Sequence, residues 1–217
     1  MIRHHPPYDL ILEYGTGFSG EGVALAIAVH ASLCPECRRQ VADIEAVGGA
    51  LLEEIEPAPL SDGLLDSVMA RLDEQPLTEA RGPRTDAATR RLVPPPLLRY
   101  LDSNLDDLPW RSVGRMFQEF RLPLANKNVK ASLMKLRPGS LMPRHTHRGH
   151  EITLVLAGGY QDGDEQYARG DFSAKDAEHM HQPIVDDDGE CLCLVVLDAP
   201  LKLTGPVGRL INPFLRI

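Results

Sequence analysis

Apolar residues in the first third of the chain recur at helical spacing, and beyond residue 97 they give way to short alternating or apolar runs. Residues 8–14 form a first helical segment that stops at Gly15. A second is expected after Ser19, an N-cap candidate with Glu21 in its first turn, running through Val23, Leu25, Ala26, Ile27 and Val29 into His30. Pro35 lacks an N–H and cannot continue that helix, but proline is favoured at the first position of a new one. A third helix is therefore predicted from Pro35 to about Ile55, with Val41, Ile44, Val47, Leu51, Leu52 and Ile55 as its apolar face and Gly48-Gly49 as a bend. Ser61 caps a fourth, which carries Leu64, Leu65, Val68, Met69 and Leu72. Residues 76–96 contain Gly82-Pro83, charged residues and Pro94-Pro95-Pro96, the composition of a semi-rigid linker. After it, strands are expected at 115–121, 129–136, 152–156, 171–174, 183–185, 192–197 and Leu201–Leu203.

The expected fold class is multidomain, α then β. A small four-helix domain spans 1–75, a linker 76–96, and an antiparallel sandwich or barrel 97–217. Four short helices have a marginal core, so the first domain calls for a staple such as a metal ion.

Charge changes the picture of the first domain. Of the net −8, residues 1–75 hold 13 acidic against 4 basic side chains, residues 76–93 hold 2 against 4, and residues 94–217 hold 16 against 15. The excess is either a solvated helical surface or the complement of a partner with a basic, DNA-contacting face. It argues against direct nucleic-acid binding. The four cysteines fall in two close pairs, Cys34/Cys37 and Cys191/Cys193, which is no disulfide framework. No signal peptide and no membrane-spanning run is read in the sequence, so a cytoplasmic location is expected.

The eight histidines gather in two places, His4, His5 and His30 in the first domain and His145, His147, His150, His179 and His181 in the second. His30, Cys34 and Cys37 stand at i, i+4 and i+7 on one side of a helical path broken at Pro35. They supply three of the four N and S ligands of a tetrahedral Zn2+, and His4-His5 is the source of the fourth. In the second domain the order is Gly139-x5-His145-x-His147-x3-Glu151-x6-Gly158, with the i, i+2 histidines on one face of a strand. This resembles the first cupin motif, and the likeness implies a jelly roll holding a metal on His145, His147, Glu151 and a later histidine. His181 is the first choice for that ligand and His179 the second; the Pro-x-Gly usual in the second cupin motif is missing. The donor set suits Zn, Mn, Fe, Ni or Co. Cys191 and Cys193 alternate in an apolar strand and read as small core hydrophobes, with a redox role the weaker reading.

The His30-x3-Cys34-x2-Cys37 signature, joined to a cupin, resembles the ChrR type of anti-sigma factor. The Arg3-His4-His5 start, the Ala46-Val47-Gly48-Gly49 segment and the Pro213-Phe214-Leu215-Arg216-Ile217 end share the likeness. It implies that His5 is the fourth zinc ligand and that the first domain holds an ECF sigma factor inactive by wedging against its promoter-binding regions. It also implies release under oxidative stress, by singlet oxygen or organic peroxides, and a cupin that senses a small or oxidised molecule at its metal. The protein would then be a regulator with no catalytic residues. The competing reading is a cupin dioxygenase or isomerase with a helical appendage. A dithiol redox protein using Cys34 and Cys37 ranks last, because a helix and not a strand precedes the pair.

Overall fold

Helix α2 (Glu21–Leu33) is where the two halves of the chain meet. The computed structural model describes residues 1–72 and 85–199, and the backbone of Leu201–Leu203. Seven of the 13 residues of α2 are buried, and a helix that is apolar all round needs cover on every side. Helices α1 (Tyr8–Gly15) and α3 (Pro35–Glu53) pack against part of it. A β-sheet and α6 (Pro95–Leu98) take the rest, so that Leu25, Ala26, Ile27 and Val29 share one core with Leu154, Leu194 and Val196 of the sheet.

That sheet has six antiparallel strands. In spatial order they are β1 (Arg111–Val113), β2 (Phe117–Arg121), β3 (Lys130–Leu136), β10 (Cys191–Leu197), β5 (Glu151–Ala157) and β8 (Phe172–Lys175). Strand β10 is buried throughout and shows why both sheet faces are apolar. Its Leu192, Leu194 and Val196 face the helices, while Cys191, Cys193, Val195 and Leu197 face a second core. That second core also takes in Tyr160 and Tyr167 from a three-stranded sheet of β7 (Glu165–Ala168), β6 (Gly159–Asp162) and β9 (Ile184–Val185). Strand β4 (His145–His147) pairs with β11 (Leu201–Leu203).

The helical region followed by a sheet domain is as expected, but the helices do not close on a core of their own. Besides the surface of α2, their own buried cluster is Ile11, Cys34, Cys37 and Val41. The distal part of α3 and helix α4 (Leu64–Leu72) leave Val47, Leu51, Leu52, Ile55, Leu65 and Met69 exposed. Two local expectations also change. Gly20, not Ser19, holds the N-cap position of α2. Residues 85–96 of the expected linker form α5 (Ala87–Leu92) and the start of α6; residues 76–84 lie outside the described part, as do 213–217. The reason is local. The Asp86 carboxylate caps α5 by accepting from the Thr89 N–H at 2.7 Å. Prolines at the first positions of α6 give up N–H groups that a helix start does not need, and Val93 and Leu97 are then fully buried. Among the described residues no helix is long and apolar enough to cross a membrane.

At Gly22, α2 lies close against the sheet domain. A Cβ there would lie 2.8 Å from Val196 Cγ1 and 2.9 Å from Val129 Cγ1. Gly22→Val should therefore destabilise the whole protein by about 1–3 kcal/mol through overpacking. Urea unfolding followed by far-UV circular dichroism checks it; an unchanged midpoint would mean that α2 does not seat on the sheet.

Candidate metal centres

The first centre forms at the break between α2 and α3. The helix ends because Pro35 begins the next one, and Cys34 sits at the joint in extended backbone (φ −105°, ψ 108°). This turn brings His30, Cys34 and Cys37 to one buried spot. His30 Nε2 is 3.3 Å from Cys37 Sγ, and His5 Nδ1 lies 3.5 Å from Cys34 Sγ and 3.4 Å from Cys37 Sγ. One ligand atom from each of the four lies within 4.8 Å of every other. His4 is not among them. Its ring stacks on Tyr167, and its Nε2 sits 3.1 Å from the Gln166 carbonyl oxygen.

Burial dominates the electrostatics here. It lowers the His30 pKa to about 4, so the ring is neutral, as a ligand must be. Burial, followed by the neighbouring Cys34, pushes the Cys37 thiol up to about 12. A thiolate in such a place needs a cation beside it, and two sulfurs with two imidazoles fit a tetrahedral Zn2+. The other nitrogen of His30, Nδ1, is 2.9 Å from the Gly170 carbonyl oxygen. That is the kind of outer contact that fixes a ligating histidine.

The second centre lies inside the sheet domain. Strand β4 turns both His145 and His147 inward, β5 begins with Glu151, and His181 reaches the same spot through backbone pairing with His145. His145 Nε2 and His147 Nδ1 are buried with no hydrogen-bond partner. They lie 3.9 and 3.7 Å from Glu151 Oε2, and His181 Nε2 lies 4.0 Å from Oε1. Unpartnered buried nitrogens facing a carboxylate fit a shared metal ion. Burial lowers the pKa of both His145 and His147, which keeps the rings neutral. His145 Nδ1 is held by the Pro143 carbonyl at 2.8 Å and His181 Nδ1 by the Asp162 carboxylate at 2.9 Å. Burial opposes charge on Asp162, but His181 and Lys175 outweigh it and hold the carboxyl below its usual range. His181 therefore joins the cluster. His179 is exposed and paired with Asp176, and His150 is exposed and paired with Asp198.

A largely apolar cavity of about 190 Å3 opens beside this second cluster, walled by Met116, Phe117, Met134, Tyr160, Cys193 and Val195. Cys191 and Cys193 are both buried, with their sulfurs 3.5 Å apart. The sequence reading missed the cavity, Asp162 and Gly170. Asp162 precedes the Gly163-Asp164 turn, which was the one available sign of the β6–β7 hairpin.

Comparisons with known proteins place the whole chain in one family. The profile of the ChrR cupin-like domain matches residues 102–199. The anti-sigma-E factor ChrR of Cereibacter sphaeroides is 38% identical over 216 residues, covering 100% of this chain and 99% of that protein. The chain belongs to the ChrR family. The crystal structure of Rhodobacter sphaeroides SigE in complex with the anti-sigma ChrR matches it as well, with a TM-score of 0.79 and 37% identity. That match covers 91% of this chain and 100% of the other. The likeness thus runs through both the helical region and the sheet domain.

Metal analysis can separate the two centres. Intact protein should carry two metal ions per chain. Cys34→Ala should remove the one held with sulfur, His145→Ala the other, and His179→Ala neither. Elemental analysis of the purified variants decides it; loss of both ions from either single variant would show that the centres are not independent sites.

Proposed function

We propose that this protein is a cytoplasmic anti-sigma factor. Its helical region, stapled by Zn2+ on His5, His30, Cys34 and Cys37, sequesters an ECF sigma factor. The sheet domain holds a divalent transition metal (Zn, Mn, Fe, Ni or Co) on His145, His147, Glu151 and His181, and governs release under oxidative stress, by singlet oxygen or organic peroxides. The observation that carries this reading is the full-length likeness to a protein named as an anti-sigma factor and to one solved in complex with SigE.

The surface supports it. Apolar side chains on the distal part of α3 and on α4 are exposed, and helices that each leave an apolar stripe uncovered offer it to another protein. Asp43, Glu45, Glu53, Glu54 and Asp66 stand among them, which favours a basic partner such as a sigma factor's DNA-contacting surface. The metal staple places this face by fixing the start of α3. Release requires that the signal interact differently with the bound and free states. The cavity beside the second cluster has room for a small apolar molecule whose polar end reaches the metal. The same cavity would suit an enzyme, but membership of a regulator family favours sensing over turnover.

A reporter gene driven by the cognate sigma factor tests both parts. Leu51→Asp and Leu65→Asp should leave metal content intact, weaken sigma binding roughly 30-fold or more, as expected for a hot spot of about 2 kcal/mol, and switch the reporter on without stress. Glu151→Ala should keep the reporter off and blunt its response to singlet oxygen and organic peroxide. Full repression by both aspartate variants would move the docking surface elsewhere, and normal induction in Glu151→Ala would remove the sheet-domain metal from sensing.

A further inference from the structure

The N-terminal arm that carries His5 packs its Ile2 side chain against the helical cluster of Ile11, Cys34, Cys37 and Val41, but its backbone is hydrogen-bonded to the sheet domain. Asp171, in the turn between β7 and β8, is buried, and its carboxylate closes a small ring of backbone donors. Oδ1 accepts from the N–H groups of Arg3 at 2.6 Å and His4 at 3.0 Å, and Oδ2 accepts from Ala168 N–H at 2.9 Å. The Phe172 N–H donates to the His4 carbonyl at 3.0 Å, extending the hold on the arm to the residue directly before His5. Gly170 in the same turn accepts from His30 through its carbonyl oxygen. It has φ +93°, and a Cβ there would lie 2.6 Å from the Ile2 side chain, so the arm lies directly on a position suited to glycine.

We propose that Asp171 is a positioning residue of the first metal centre. From the sheet domain, the turn 170–172 sets the arm so that His5 meets His30, Cys34 and Cys37, and it orients the His30 ring at the same time. Two of the four ligands are thus placed by a segment far off in the chain, 140 positions from His30 and 167 from His4 beside His5. The turn is also tied to the wall of the cavity. Val155 of β5 exchanges backbone hydrogen bonds with Gly170 and Asp171. His4 stacks on Tyr167 at 4.2 Å, and Tyr167 stacks on the cavity residue Tyr160 at 4.8 Å. A change at the second centre therefore has a contiguous physical route to the first.

This rests on the metal reading of His5, His30, Cys34 and Cys37, and a cobalt experiment on the full chain separates the two claims. Thiolate-to-cobalt absorption reports the first centre alone, because the second has no sulfur ligand. Competition by Zn2+ against that band, in the presence of a chelator, gives the zinc affinity. Asp171→Ala should weaken zinc binding at the thiolate centre by about 10–100-fold, as loss of an outer contact does. Asp171→Asn, which keeps the oxygen facing Arg3 and His4, should lie between it and the wild type. The second centre should keep its metal in both. Wild-type zinc affinity in Asp171→Ala would overturn the proposal, and so would equal loss at both centres, which is the mark of general unfolding. If Asp171→Ala does not fold, the milder Asp171→Asn carries the same comparison, and unchanged affinity there overturns it. A wild-type chain without the thiolate band would instead overturn the metal reading itself.

Discussion

Both ring nitrogens of His30 are committed, and the junction of the molecule depends on that. Nε2 faces Cys37 in the helical region, and Nδ1 faces the Gly170 carbonyl of the sheet domain. The residue is fully buried, and its ring meets Phe172 edge-on at 5.8 Å. An imidazole in such a place has to be neutral and has to satisfy two partners at once, since a buried polar atom without one costs about 1–3 kcal/mol. Helix α2 can deliver His30 there because its apolar residues seat on the sheet over most of its length. The His5, Cys34 and Cys37 cluster, the arm and the start of α3 are then arranged around a side chain that belongs to both halves.

This arrangement explains why so much apolar surface is left on the rest of the helical region. The α2 surface and the small cluster of Ile11, Cys34, Cys37 and Val41 account for its core. The distal part of α3 and α4 extend from a fixed base with their apolar residues uncovered. Holding such a face open is costly for a free protein and useful for one that captures a partner. The two candidate metal centres lie in different settings. The sulfur-containing one sits at the start of α3, and the histidine–glutamate one sits beside a cavity.

Much of this was legible in the sequence where the physics is local. The His30, Cys34 and Cys37 spacing, read with Pro35 as a helix start, gave the geometry of the first centre. The His145, His147 and Glu151 spacing gave most of the second. Contacts set by the tertiary fold were not legible. Nothing in the residues around Asp171 shows that its carboxylate will bind the amides of Arg3 and His4, because the partners are 167 and 168 positions away. The stripe of α3 was legible as an apolar face but not as an uncovered one, because periodicity shows which face is apolar but not what covers it. The opposite signal was present in α2, whose run from Val23 to Ala31 is apolar nearly all round and so needed cover that three small helices could not supply. The expected linker misled for a related reason: a proline run suits a linker and a helix start equally, and only the burial of Val93 and Leu97 decides between them.

If a metal on His5, His30, Cys34 and Cys37 holds the sigma-docking face in place, removing it must free the sigma factor. The direct measurement is a chelator titration of the cobalt-loaded protein in complex with a fluorescently labelled ECF sigma factor. Thiolate-to-cobalt absorption and the anisotropy of the label are followed in the same sample. Sigma should be released in step with loss of the thiolate band. A complex that persists after the band has gone would contradict it.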